Sequence, residues 1–233
     1  MRINWGIFAV MAPLLILACS GDDLDGPERK EFADINRLSV FVDHGDVTVF
    51  GSGQVQGAIV DRWSSSASTF DELRERNTGG ELVIDSRCKD ARSCRVRYDV
   101  AVERSTEVQA RVDHGTLQLN RLGQGLGAEV ENGSLVARGL ETPFADITIE
   151  QGDVRLEFVE PPQNLQLRIG EGSAATVFLP EGWYRCVFDT ESDAISMEGL
   201  VCNPQAQSAL RIEPPDAAVR FEIGFDESSS PFY

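Results

Sequence analysis

Acidic and polar side chains stand beside glycine at regularly spaced points of this 233-residue chain, and these are the residue types that could do chemistry. The phrase first reads Val42-Asp43-His44-Gly45-Asp46-Val47. It returns at Gly115, Gly133, Gly152 and Gly172, in steps of 18, 19 and 20 residues. If the repeats stack as strands about 4.8 Å apart, the acids before these glycines align into a column that could share a calcium ion. The predicted ligands are Asp43, Asp113, Glu131 and Glu150. The pattern favours the alternative, a solvated polar ladder that needs no ion, because exposed corners are usually acidic.

The two histidines, His44 and His114, each follow an aspartate, but a hydrolytic triad is not indicated. A triad needs a nucleophilic serine beside the histidine, and the chain contains no G-x-S-x-G motif. Neighbouring Asp and His in a strand also point to opposite faces. We therefore predict no catalytic residues. The alternative is a polysaccharide lyase or hydrolase that uses carboxylates and arginines in an open groove.

The elements that position these corners are predicted to be β-strands. Apolar residues alternate with polar ones with period two, as at Val96, Tyr98, Val100 and Val102, which is typical of strands with one buried face. The near-constant step predicts an all-β, parallel β-solenoid over residues 36–226, with glycine at positive-φ corners. Segments 108–112, 127–131, 145–149 and 165–169 should then pair in parallel with their equivalents. The alternative is an antiparallel meander or barrel with two-residue hairpins such as Asn132-Gly133.

One segment departs from this pattern. Thr69 and Glu72 have the spacing of a capping box, and Glu72 with Arg76 forms an i,i+4 pair before Gly79 and Gly80. We therefore predict a short helix over residues 69–77, inserted into the solenoid.

The N-terminus predicts export. The apolar run 7–18 is long enough for a signal peptide and too short to span a membrane. Ile16-Leu17-Ala18-Cys19-Ser20 resembles the lipobox of bacterial lipoproteins, which implies cleavage of residues 1–18 and acylation of Cys19. Ser20 resembles the signal for outer-membrane sorting. Residues 19–35 are predicted to be a flexible acidic tether, and residues 227–233 a tail.

The cysteines and the charge agree with an exported protein. Besides Cys19 there are four cysteines, and the local pairs Cys88–Cys94 and Cys186–Cys202 are the simplest disulfides. Their spacing resembles no zinc site. The net charge of −17 argues against nucleic acid and bare anionic lipid as partners. A basic cluster between residues 87 and 97 could meet an acidic glycan or be the solvated face of a strand.

The lipobox, the corners Gly45-Asp46-Val47 and Gly152-Asp153-Val154, and the period near 19 together resemble a family of bacterial adhesin-like domains. The resemblance covers roughly residues 36–225. It implies a right-handed β-solenoid that is exported, membrane-tethered and non-enzymatic, and it carries over no catalytic residues. We therefore expect a lipid-anchored module of the cell envelope, held at the outer membrane through acyl chains, that binds a glycan or an envelope protein. An envelope-stress sensor is the alternative.

Overall fold

A computed structural model describes residues 24–90, 93–188, 195–213 and 218–224 of the chain. This part contains sixteen β-strands and a single short helix, a 3₁₀ turn at Ala67–Thr69. None of its helices is long and apolar enough to cross a membrane. The predicted signal peptide, Cys19 and the tail 227–233 lie outside the described residues. The strands are β1 Asp25–Phe32, β2 Arg37–Ser52, β3 Ala58–Ser64, β4 Phe70–Thr78, β5 Glu81–Cys88, β6 Val96–Glu103, β7 Glu107–Asn120, β8 Leu126–Leu140, β9 Phe144–Phe158, β10 Asn164–Ile169, β11 Ala174–Leu179, β12 Trp183–Phe188, β13 Ile195–Glu198, β14 Val201–Cys202, β15 Ser208–Glu213 and β16 Ala218–Ile223.

The repeated phrase forms four long strands, β2, β7, β8 and β9, which pair in parallel in that order. Their corner glycines lie opposite one another, from Gly45 through Gly115 and Gly133 to Gly152. β10 continues the parallel pairing on β9, with Leu165 opposite Ala145. The predicted parallel pairing of the repeats is therefore confirmed. The alternative prediction, a hairpin at Asn132-Gly133, is wrong, because β8 runs through this dipeptide without reversing.

Each long strand changes direction at its glycine, and the burial pattern shows how. In β7 the buried positions are even before the corner, Val108, Ala110 and Val112, and odd after it, Leu117 and Leu119. The change of parity keeps the apolar side chains inside on both sides of the bend. We call the half of each strand before the glycine the first arm and the half after it the second arm.

Glycine is required at these corners for two reasons. The φ of Gly133 is +151°, which side-chain-bearing residues rarely adopt. A Cβ on Gly133 would lie 2.8 Å from the carbonyl carbon of Gly115 and closer still to its oxygen. A Cβ on Gly115 would approach the carbonyl group of Gly45 equally closely, and a Cβ on Gly152 would approach that of Gly133. The rungs can therefore pack at strand spacing only where no side chain intervenes.

The two arms have different neighbours, and the core lies between them. On the first arm, β5 flanks β2, and the order beyond β9 is β10, β15, β12 and β14. On the second arm, β6 flanks β2, and β11, β16 and β13 follow β9. Apolar side chains of equal register form ladders in the interior, such as Val112, Val130 and Ile149. Truncating a residue of such a ladder to alanine costs about 2–5 kcal/mol.

The sheet is mixed, which corrects the prediction of a wholly parallel solenoid. β3 runs antiparallel to both β1 and β6, and β4 runs antiparallel to β5. These antiparallel strands lie at the N-terminal end of the sheet. The β4–β5 hairpin closes at Gly79 and Gly80, whose φ values are +63° and +87°, so the chain reverses there instead of turning a corner.

Two predictions at this end of the sheet are wrong. Residues 69–77 are not a helix: the Thr69 hydroxyl donates to the Ser66 carbonyl, and β4 pairs with β5 from Phe70 to Thr78. The predicted tether 19–35 includes Asp25–Phe32, which instead forms β1 on the edge of β3. The guanidinium of Arg29 donates to both carboxylate oxygens of Asp61 at 2.7 and 2.6 Å, so a charged pair helps to hold this polar strand.

A buried ionic cluster closes the same end of the core. The Glu75 carboxylate, 2% exposed, lies 2.7 Å from both Arg62 Nη1 and Lys30 Nζ, and the Tyr98 hydroxyl donates to it at 3.4 Å. Glu75 belongs to β4, whereas Lys30, Arg62 and Tyr98 belong to β1, β3 and β6. Burial, and then the nearby Glu75 charge, raise the pKa of Tyr98. The cluster therefore joins the two arms where the apolar ladders end.

Both predicted disulfides are present. Cys88–Cys94 joins the end of β5 to the segment before β6, and Cys186–Cys202 joins β12 to β14. Each bond links positions close in sequence, with separations of 6 and 16 residues.

Candidate functional site

The residues directly before the corner glycines form a column of polar side chains. His44 lies opposite His114, and Asn132 opposite Gln151, on successive rungs. The two imidazole rings stack with centroids 4.4 Å apart, and Asn132 Nδ2 donates to Gln151 Oε1 at 3.0 Å. Burial, and then the neighbouring His114, lower the pKa of His44. The column is a polar ladder in which neighbouring rungs contact each other.

The acidic column next to it does not gather into a cation site. Asp43 accepts the Cys88 amide at 2.8 Å, and Asp113 accepts Arg111 at 2.7 Å. Arg111 also reaches Glu131 at 3.7 Å. The part of the chain that the structure describes contains no group of three or more His, Cys, Asp or Glu placed to hold a metal ion. The predicted calcium ligands, including Glu150, thus gain no support from the geometry.

Three arginines of the basic cluster between residues 87 and 97 pair with carboxylates of the protein. Arg87 pairs with Asp85, Arg95 with Asp46 and Arg97 with Asp99. Arg87 also lies over the Phe41 ring and Arg97 over the Trp63 ring. For these three arginines the structure favours the solvated outer face of paired strands, one of the two interpretations of the sequence.

A concave surface that sequence analysis missed lies on the outer side of the first arm. Two adjoining cavities, of about 340 and 560 Å³, share Gln109 and Asp146 as lining residues. Where the two cavities meet, the turn before β8 and the start of β8 place Gly125 and Gly127 on the outer face. These two positions contribute no side chains of their own to that face. Glu107 and Gln109 flank the glycines on β7. Phe144 and Asp146 flank them on β9. We call this depression, with its glycine floor and these four walls, the trough.

The charged groups around the trough are compensated. Arg168 donates to Asp146 at 2.7 Å, and Arg111 donates to Glu129 at 2.8 Å. The next strand contributes Gln166, whose Nε2 donates to Glu213 at 3.2 Å. The lining therefore presents polar groups with no strong local charge.

Several amides around the trough are available for a ligand. The side-chain amides of Gln109, Gln124 and Asn164 make no hydrogen bond to other described residues, and all three residues are exposed. Beside them the ring of Phe144 is 54% exposed. An exposed aromatic face next to free amides can bind a ligand that has both apolar and hydroxyl-bearing surfaces.

The lining offers little for catalysis. Among the described residues that border the two cavities there is no histidine, cysteine or lysine. Glu129 and Asp146 are each held by an arginine, and the Ser39 hydroxyl donates to Glu81 at 2.7 Å. The Ser39–Glu81 pair lacks the histidine through which a serine hydroxyl is usually activated, because none borders the described cavities.

A sequence signal for the trough does exist. Gly123, Gly125 and Gly127 recur with period two directly before the corner phrase at Gly133. Period two is the spacing of one strand face, so successive glycines leave that face without side chains.

Comparison with known proteins gives distant likenesses in structure only. The match to a provisionally named cell adhesion protein of Clostridium sporogenes has 12% identity and a TM-score of 0.47 over 87% of this chain and all of that chain. The match to a provisionally named adhesin of Parabacteroides distasonis has 11% identity and a TM-score of 0.38, with 86% and 97% covered. The match to a similarly named protein of Parabacteroides merdae has 10% identity and a TM-score of 0.32, and it covers 85% of this chain and 92% of that chain. No protein-family model matches the chain, and no curated sequence is significantly similar to it.

Proposed function

We propose that this chain is a non-catalytic, adhesin-like binding module of the bacterial cell envelope, and that the trough is its binding face. The observation that carries the proposal is the arrangement around Gly125 and Gly127. Two glycines without side chains, the second of them covered by the free amide of Gln109, are bordered by further amides, an exposed aromatic ring and charges that are already paired. Such a surface can hold a partner without having to strip water from an isolated charge.

The proposed setting is extracytoplasmic and lipid-anchored. Two disulfides support an oxidising compartment. The lipobox-like segment supplies Cys19 as the acylation site, and two or three acyl chains hold a protein on a bilayer stably. We further propose that the parallel rungs from β2 to β10 are a right-handed solenoid, in which the stacked corners leave the outer face of the first arm open to a partner in the envelope.

Co-sedimentation with washed envelopes of a diderm bacterium tests the binding face. The full chain carries Cys19→Ser in every sample, so that acyl chains do not cause pelleting. Gly127→Leu crowds this part of the trough and displaces the Gln109 amide, since a Cβ there would lie 2.7 Å from the Gln109 Cδ and closer still to its Oε1. Gly53→Leu is the matched control, because no atom lies within 4 Å of a Cβ at Gly53.

We expect Gly127→Leu to lower the fraction bound about tenfold, corresponding to about 1.4 kcal/mol, and Gly53→Leu to leave it unchanged. Equal sedimentation of the two variants would show that the partner binds elsewhere. Release of new reducing ends from the envelopes by the protein would show that the module is an enzyme.

Membrane attachment is tested separately in intact cells. The chain with Cys19 should fractionate with the outer membrane, and Cys19→Ser should leave it in the soluble periplasmic fraction. Recovery of the Cys19-containing chain in the soluble fraction would contradict the anchor and leave the binding face untouched.

A further inference from the structure

The dimensions of the trough limit what can enter it. Its floor extends over two outward positions of one strand, Gly125 and Gly127, and its width is that of a single missing row of side chains between β7 and β9. Neighbouring strands are about 4.8 Å apart, so the two walls stand on the order of 10 Å from each other. A single six-membered ring fits this space. An α-helix with its side chains is about as wide as the trough itself, so it would have no clearance between the walls.

The walls determine which groups such a ring should carry. The free amides of Gln109 and Asn164 each offer a donor and an acceptor, and a hydroxyl group is both at once. Phe144 exposes its ring next to Gly125, so an apolar ring face can lie against it. A pyranose has this combination of an apolar C–H face and a rim of hydroxyls.

The charges favour a neutral sugar over an acidic one. Arg111 and Arg168, the arginines that line the trough, are bound by carboxylates. The chain as a whole has a net charge of −17, which repels a polyanion. Neither a uronate nor a phosphate would find a free cation among the described residues that line the two cavities, and Arg185 on β12 lies beyond this lining.

A second exposed aromatic residue lies on the same outer face. Phe144, Asn164, Ala209 and Arg185 form one row across β9, β10, β15 and β12. Trp183 lies two residues before Arg185 on β12 and is 69% exposed. Three strand spacings, about 14 Å, separate the strands of Phe144 and Trp183, which is enough for several sugar rings between them.

From this arrangement we infer that the trough binds a neutral polysaccharide, with one pyranose ring over Gly125 against Phe144, beside the Gln109 amide that lies over Gly127, and the chain continuing across the strands towards Trp183. The inference rests on the proposed function, because it names the class of partner for the same face. It assigns two platforms, Phe144 and Trp183, and the hydrogen-bonding amides between them.

Calorimetric titration of the full Cys19→Ser chain with defined oligosaccharides tests the inference. The probes are cello-, chito-, manno- and xylohexaose, the corresponding trisaccharides, and hexagalacturonate as the acidic comparison. We expect at least one neutral hexasaccharide to bind with a Kd that does not depend on salt, and hexagalacturonate not to bind. Phe144→Ala and Gly127→Leu should each weaken that binding about tenfold. The control Phe50→Ala removes an exposed ring from the second arm and should have no effect.

Chain length separates the two platforms. Trp183→Ala should weaken the hexasaccharide and leave the trisaccharide unchanged, because the shorter probe cannot reach from Phe144 to β12. An equal effect on both probes, or none on either, would overturn the extended path across the strands.

The failures of the two proposals are distinguishable. If no neutral probe binds while envelope sedimentation still depends on Gly127, the carbohydrate inference is wrong and the binding face stands. If neutral probes bind equally well to Gly127→Leu and Phe144→Ala, the assigned site is wrong. If sedimentation is also indifferent to Gly127→Leu, the proposed function falls as well.

Discussion

Gly133→Ala should be among the most damaging single-methyl additions in this protein. Two costs add at this position. A non-glycine residue held near φ +151° is strained by about 1–3 kcal/mol. The new Cβ also lies 2.8 Å from the Gly115 carbonyl carbon, so β7 and β8 must separate locally and weaken one or two backbone hydrogen bonds, at about 0.5–1.5 kcal/mol each. The expected loss of unfolding free energy is about 3–5 kcal/mol.

Two further glycines separate these costs. Gly172 has φ +76° with no atom within 4 Å of a Cβ, so Gly172→Ala carries only the backbone cost, about 1 kcal/mol. Gly125 lies outside the positive-φ set, and its Cβ would meet only Glu107 Cγ at 3.6 Å. Gly125→Ala should therefore be neutral or stabilise by up to about 1 kcal/mol.

Urea unfolding at equilibrium measures all three variants, provided that the m-value stays constant. The expected order of stability is Gly125→Ala, then Gly172→Ala, then Gly133→Ala, with the last clearly separated from the second. A loss for Gly133→Ala no larger than that for Gly172→Ala would refute the close approach of the rungs, since only backbone conformation would then matter.

Three other expectations can be tested on the same preparation. Glu75→Gln should cost about 3 kcal/mol in urea unfolding because it removes the buried carboxylate of the cluster and leaves Arg62, 12% exposed, with the half-exposed Glu28 as its carboxylate partner. Arg29→Ala removes an exposed partner and should cost much less. Equal losses would contradict the closing role of the cluster. Because the pKa of His44 is lower in the folded than in the unfolded protein, the unfolded chain binds more protons, and Tm should fall as pH decreases below about 6.5. The fall should be smaller in His44→Gln, and parallel Tm-against-pH curves would show that His44 does not contribute. Calcium should leave Tm unchanged, and a rise that Glu131→Gln abolishes would restore the cation column.

The parts of the fold that sequence predicted are those in which one segment repeats another. Val112-Asp113-His114-Gly115 and Val130-Glu131-Asn132-Gly133 have the same pattern, so their register follows from spacing alone. The two disulfides were predictable because each joins cysteines that are close in sequence.

The rest depended on contacts that local patterns do not encode. β4 has the charge spacing of a helix, yet it pairs with β5 from Phe70 to Thr78, and its Glu75 meets Arg62 and Lys30 from other strands. The sequence of β1 indicates a tether, and only its pairing with β3 shows that it is a strand. The trough was missed because period-two glycines indicate a strand face only after the strand itself has been placed.

The stacked glycine corners also make each rung an exchangeable unit. Residues 115–132 begin at one corner glycine and end just before the next, so their removal would join His114 to Gly133 with the corner phrase intact. The shortened protein would lose about one strand spacing, some 4.8 Å, while the ionic cluster at one end and the Cys186–Cys202 bond at the other kept their own neighbours. Because the same eighteen residues carry Gly125 and Gly127 but not the walls on β7 and β9, a single in-frame deletion would remove the trough and a duplication would widen it by one rung. The reach of this protein and the width of its binding face can therefore change together, one rung at a time.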